Sequence, residues 1–109
     1  MMPQSAEGTR EPFSVTLRPT CALQLEKKCA EFTRARQVYD GLIWRVSRDP
    51  SCGPKLALHY PGNPKAAVHM VKTRASHHYP TVSLIYLVEG QEITIVDLKI
   101  FEAGHDPIL

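Results

Sequence analysis

The chain has 109 residues, of which 43% are hydrophobic and 22% charged, with a formal net charge of +2. That length and balance fit one soluble globular domain with a modest core, and exclude a disordered or low-complexity chain. No apolar run approaches the roughly 18 residues that a membrane span requires, so no membrane partner is expected.

The opening MMPQSAEGTREP has no apolar stretch of the kind a signal peptide carries and reads as a disordered leader over 1–12, ahead of a domain at 13–109. FSVTL, 13–17, alternates apolar and polar residues and predicts a short strand. Arg18-Pro19-Thr20 breaks it, and Thr20 is a plausible helix N-cap.

Over 21–50, Leu25, Cys29, Phe32, Tyr39, Ile43 and Val46 recur at steps of three, four or seven, which sets them on one helical stripe. TRARQ, 33–37, has room for a turn, so the pattern admits one long helix or an antiparallel pair. Trp44 reads as a packing residue, and Arg34, Arg36, Arg45 and Arg48 as a solvated face or a partner surface. Asp49-Pro50 ends the helical region, because a proline disfavours helical geometry in the residue before it.

LALHY, 56–60, reads as a short extended piece and PGNPK, 61–65, as a turn. AAVHMVKTRA, 66–75, predicts a strand with Val68, Met70, Lys72 and Arg74 on one face and His69, Val71 and Thr73 on the other. TVSLIYLV, 81–88, is apolar on both faces, as a central strand covered on both sides should be. A tight hairpin at Glu89-Gly90 leads into QEITIVDLKIF, 91–101, where a regular alternation sets Thr94, Val96, Leu98 and Ile100 on one face and Asp97 and Lys99 on the other. The expected architecture is α+β: an N-terminal strand, a long helix or helical pair on one face, and three consecutive C-terminal strands in a small, mostly antiparallel sheet.

Charge is unevenly distributed. From Pro50 to Val88 there is no Asp or Glu, while that stretch holds Lys55, Lys65, Lys72, Arg74 and four of the five histidines, His59, His69, His77 and His78. A field of one sign attracts polyanions, unless acids elsewhere in the fold neutralise it through space. Lys72 and Arg74 share a predicted strand face and together suit a phosphate, or else one of them pairs with Asp97 or Glu102. Histidine is the side chain suited to proton transfer near neutrality, which makes His77 and His78 candidates for it, against the plainer reading of a solvated loop. Tyr86, mid-strand in an apolar run, is either core or a hydroxyl on a concave sheet face.

Cys21, Cys29 and Cys52 have no CxxC spacing and read as reduced thiols. The cysteines and histidines form no two close ligand pairs, so no zinc site is expected. No phosphate-binding glycine loop and no serine, cysteine or paired-carboxylate constellation is present.

The element order, with "LIWRVSRDPSCGPKL", "VHMVKTRA", "VSLIYLVEGQEITIVDL" and the late "AGH", resembles the RelE/ParE superfamily of bacterial type II toxins over about 13–105. The resemblance implies a cytoplasmic toxin held silent by a cognate antitoxin. It also implies either metal- and cofactor-independent cleavage of messenger RNA on the ribosome or a non-enzymatic action such as inhibition of DNA gyrase. An inactive toxin-like binding module is the remaining alternative. Carried onto this chain, the resemblance makes His77, His78, Tyr86 and His105 the candidate catalytic residues of an endoribonuclease and Lys65, Lys72 and Arg74 its RNA-binding residues. It also exposes a departure: where the family often has an arginine shortly before the tyrosine, this chain has Ser83, and the segment after the last strand offers Lys99, Glu102 and His105.

Overall fold

The computed structural model describes residues 12–74 and 76–104; residues 1–11 of the expected leader and His105 lie outside the described residues. The elements run β1 (Ser14–Leu17), α1 (Pro19–Glu31), α2 (Ala35–Arg48), a 3-10 turn (Pro50–Cys52), β2 (Ala67–Lys72), β3 (Thr81–Glu89) and β4 (Glu92–Phe101). The fold is α+β, with both helices packed on one face of a four-stranded mixed sheet of order β1-β4-β3-β2. β1 runs parallel to β4; the other pairings are antiparallel.

The helical region is an antiparallel pair. α1 begins at Pro19, with Arg18 as its N-cap in extended geometry and no side-chain cap, so Thr20 falls in the first turn and does not cap the helix. Proline is favoured at the first helical position because its missing N–H has no partner to lose there and its fixed φ already suits a helix. The break falls at 32–34, where Arg34 takes a left-handed φ of 69°. α1 and α2 set Cys21, Leu25, Ala35, Tyr39, Leu42 and Val46 against Val71, Val82, Leu84, Tyr86, Ile93, Ile95, Leu98 and Ile100 of the sheet. Trp44 does not pack inward: 60% of its surface is exposed, and the Arg48 guanidinium lies 4.4 Å from its ring centre.

β3 is central, and its buried residues lie on both faces. The hairpin turn is Gly90-Gln91, one residue later than the sequence suggests, because Glu89 still pairs with Glu92. Gly90 has φ 62°, which glycine adopts without steric cost.

The alternation expected for β4 fails at its centre. Tyr86 pairs with Ile95 but Ile85 pairs with Asp97, so β4 carries a bulge at Val96. An extra residue inverts the pleat. Ile93 and Ile95 therefore face the helices before the bulge, and Leu98 and Ile100 after it. Val96 instead joins a smaller cluster with Ala66, Val68, Leu87, Leu56, Tyr60 and Ile85 on the opposite face.

The segment after the 3-10 turn builds that second layer. The Leu56 N–H donates to the Val68 carbonyl and the Met70 N–H to the Pro54 carbonyl, tying residues 54–56 to the outer edge of β2. In place of an extended piece, the chain then turns through 57–65, closed by a bridge between Tyr60 and Asn63. Tyr60 reaches the start of α1, where the Arg18 guanidinium lies 4.9 Å from its ring centre. No helix among the described residues is long and apolar enough to cross a membrane.

Candidate functional site

On the face opposite the helices, the loop at 56–66 covers the half of the sheet around Val68 and Leu87. Beyond it, cross-strand register sets Lys72 of β2 beside Ser83 of β3, and Ser83 beside Lys99 of β4. Directly opposed residues point to the same face, so two lysines flank one serine in a single row. With strands about 4.8 Å apart, the outer two Cα positions are about 10 Å from each other. Lys72 and Lys99 are exposed and Ser83 is half-buried. Ser83 leaves room between two flexible ammonium groups at the position where the sequence resemblance leads one to expect an arginine. The neighbouring row holds Met70, Ile85 and Asp97, so the nearest in-register carboxylate is one row away.

The segment after β2 extends this basic face. Arg74 is exposed and makes no ion pair among the described residues; neither Asp97 nor Glu102 neutralises it. The Thr73 N–H donates to the Val82 carbonyl while the Val82 N–H donates to the Thr73 hydroxyl, holding the chain in line with the sheet past the end of β2. The His78 N–H then donates to the Ser76 hydroxyl, and the Gly104 N–H donates to the Ser76 carbonyl. Loop 76–79 is thereby docked on the segment that follows β4. His77 and His78 are both exposed. The His77 ring lies beside Gly104, where a Cβ would stand 3.7 Å from Nδ1.

Tyr79 completes this loop, with 37% of its surface exposed and the Arg34 guanidinium 5.0 Å from its ring centre. This contact joins the α1–α2 junction to the connector between β2 and β3. Lys72, Arg74, His77, His78 and Arg34 thus gather around one end of the sheet. Lys65 does not join them: it precedes β2 while Lys72 ends it, a separation of about 20 Å along an extended strand.

Tyr86 has a different environment. Its side chain is fully buried, its hydroxyl donates to the Pro50 carbonyl at 2.6 Å, and it accepts from the Gly53 N–H at 3.2 Å. Burial raises its pKa first, the proximity of Cys52 second. The His69 ring stacks on Tyr86 with centres 5.3 Å apart, and its Nδ1 donates to the Gly53 carbonyl at 2.7 Å. A carbonyl only accepts, so this bond places the proton on Nδ1. Glycine is required at 53, because a Cβ there would lie 2.6 Å from the Met70 carbonyl oxygen and 2.8 Å from the Tyr86 hydroxyl. The tyrosine hydroxyl, both its hydrogen-bonding roles engaged, ties the 3-10 turn to β3.

A cavity of about 290 Å³ that shares Lys99 with the Lys72–Ser83–Lys99 row lies between α1 and the half of β4 beyond β1, lined also by Thr20, Cys21, Gln24, Val96, Asp97 and Leu98. Its cysteine is held in the thiol form: burial raises the Cys21 pKa and the charge of Asp97 raises it further. All three cysteines are free, and no cluster of metal-binding side chains occurs among the described residues.

The arrangement can bind an anion through Lys72, Lys99 and Arg74, with two histidines on the adjoining loop able to exchange protons with solvent or a ligand. Sequence reasoning reached Lys72, Arg74 and the histidine pair. It did not reach the Lys72–Ser83–Lys99 row, which depends on register, or the contact between Arg34 and Tyr79, which joins residues far apart in the chain. Comparison of the chain with protein-family models, with curated proteins and with solved structures finds no match in any of the three.

Proposed function

We propose that this chain is the toxin of a type II toxin–antitoxin pair of the RelE/ParE kind, acting in the cytoplasm on messenger RNA bound to the ribosome. The observation that carries this reading is the uncovered basic row, Lys72–Ser83–Lys99, continued by Arg74. The row lies on a strand-helix-helix-strand-strand-strand chain of the order the resemblance implies. A lysine on the neighbouring strand supplies the positive charge that Ser83 lacks, so the phosphate-binding character survives the missing arginine. RNA cleavage through the ribose 2′-hydroxyl suits such a site, because the nucleophile belongs to the substrate and the protein contributes position and charge. His77 and His78 are the groups available for proton transfer; Tyr86 is committed to the core. The exposed outer side of the helix pair, including Leu23, Trp44 and Arg48, is the surface for the antitoxin.

A second reading keeps the fold and partner but not the chemistry. It is favoured by the engagement of the Tyr86 hydroxyl within the fold, which leaves only the two histidines of the described candidates for acid–base work. In that case the basic face binds its target without cleaving it, as a gyrase poison or an inactive binding module.

The test compares wild type with Lys72→Ala/Lys99→Ala and His77→Ala/His78→Ala in a translating-ribosome cleavage assay and a gyrase supercoiling assay, after expression with and without the neighbouring gene. Cleavage lost in both double variants supports the first reading. Inhibited supercoiling with intact messenger RNA supports the second. Unchecked growth on strong expression, with neither assay responding, overturns both.

A further inference from the structure

We propose that Tyr79, backed by Arg34, is a stacking platform for one unpaired base of a single-stranded RNA whose phosphates lie on the lysine row; this rests on the polyanion reading above. Tyr79 sits in an acid-free stretch that also carries exposed histidines, and its own ring is exposed. Its hydroxyl makes no hydrogen bond among the described residues, so the ring is not held there by a buried polar partner. Nor is it part of either apolar cluster of the fold.

What supports it is Arg34, whose guanidinium lies 5.0 Å from the ring centre. Arg34 holds the molecule's one left-handed φ at a non-glycine position among the described residues. For an L-residue that geometry costs about 1 kcal/mol, and it directs the helix-pair junction toward the 76–79 loop. Aromatic rings and guanidinium planes are the two protein surfaces on which unstacked bases are held, and they work without sequence preference because every base has a π-face. A ring already paired with a guanidinium carries a partial complement to the electron-rich face of a base. Arg74, His77 and His78 are exposed and lie within five residues of the ring in the chain, so cationic and proton-bearing side chains flank it on one short segment. Phosphate contacts alone bind duplex and single strand alike; the ring selects for strands whose bases are free.

The experiment uses the full chain and a short single-stranded RNA with 2-aminopurine at one position, whose fluorescence falls when the base stacks. Wild type should quench the probe and bind it with salt-dependent affinity, and should bind inorganic polyphosphate without discrimination by residue 79. Tyr79→Ala should lose the quenching and bind the RNA about tenfold more weakly, with unchanged polyphosphate affinity. Tyr79→Phe should retain both, since stacking needs the ring and not the hydroxyl, and this variant separates a lost platform from a misfolded loop. Lys72→Ala/Lys99→Ala should bind more weakly with a smaller salt slope, yet still quench at saturation. RNA binding by Tyr79→Ala equal to wild type overturns the platform and leaves the polyanion reading standing. Failure of the wild type to bind either RNA or polyphosphate overturns both.

Discussion

The two faces of the sheet treat their polar groups in opposite ways. On the helix side, the Tyr86 hydroxyl both donates and accepts, His69 donates to Gly53, and the peptide at Gly53 gives its N–H and carbonyl to those two rings. On the other side, Lys72 and Lys99 stand exposed in one cross-strand row, and Arg74 is exposed just past the end of β2. Burying a polar group without a partner costs about 1–3 kcal/mol, so the inner groups must be satisfied for the fold to exist. The outer groups carry no such obligation. Like charges held close on one surface repel one another, a cost that the anionic ligand proposed above would relieve.

Gly53 gives the strongest way to break this comparison. Gly53→Ala would force a methyl group against the Met70 carbonyl, which belongs to a paired strand and cannot move aside. The expected loss is about 3 kcal/mol, at the upper end of what overpacking costs, read as a fall in the urea midpoint at unchanged slope. A loss below about 1 kcal/mol would mean that the turn is not held against β2.

Tyr86→Phe sharpens the same point by keeping the ring and removing its hydroxyl. The Gly53 N–H and the Pro50 carbonyl each lose a buried partner, for an expected cost of about 2 kcal/mol. The same hydroxyl predicts an alkaline limit. Burial pushes the Tyr39 pKa up to about 12, and raises those of Tyr86 and Cys21 as well. An acid whose folded pKa lies above its unfolded value favours the folded state fully below the unfolded pKa, near 10 for tyrosine. Stability should therefore hold up to about pH 9 and fall between about pH 10 and 12, as denaturant titrations across that range would show. Tyr86→Phe should soften the fall.

Much of this division was legible in the sequence. FSVTL declared a strand through its alternation and TVSLIYLV a central strand through the absence of one, and the acid-free run pointed to a basic stretch. The rest was hidden for identifiable reasons. The helix break carries no glycine, because Arg34 itself adopts the left-handed φ. The bulge at Val96 inverts the pleat of β4 without any sequence signal, since every residue from Ile93 to Val96 suits a strand. The locking role of Tyr86 depends on a glycine 33 residues away, and the position of Lys99 beside Ser83 follows only from the register that the bulge sets.

On the open face the expected effects pass from stability to binding. On the RNA-binding reading proposed above, Lys72→Ala and Lys99→Ala should each weaken the binding of single-stranded RNA and reduce the slope of log affinity against log salt by about 0.7. Lys99→Ala should not change the unfolding free energy by more than about 0.5 kcal/mol. A midpoint shift without a binding change would show that the row serves the fold.

Trp44 yields the smallest expected change and the sharpest contrast within one helix. Its neighbour Leu42 is buried in the core, and truncating such a residue to alanine costs about 2–5 kcal/mol. Trp44→Ala deletes a far larger side chain but leaves no cavity, because the ring stands outside the core with only the Arg48 guanidinium over it. An exposed pair of that kind contributes about 0.5–1 kcal/mol, some of which returns as regained side-chain freedom, so the isolated protein should lose no more than about 0.5 kcal/mol. On the toxin reading proposed above, a complex with an antitoxin should respond differently. A large exposed aromatic beside an arginine has the composition of an interface anchor, whose truncation costs about 2 kcal/mol or more, close to a thirtyfold loss of affinity. Thermal unfolding of the free chain and titration with the partner protein measure the two quantities separately. A stability loss above about 1.5 kcal/mol in the free chain would place Trp44 in the core after all, and unchanged affinity for the neighbouring gene's product would sink the proposal that this helix face docks an antitoxin.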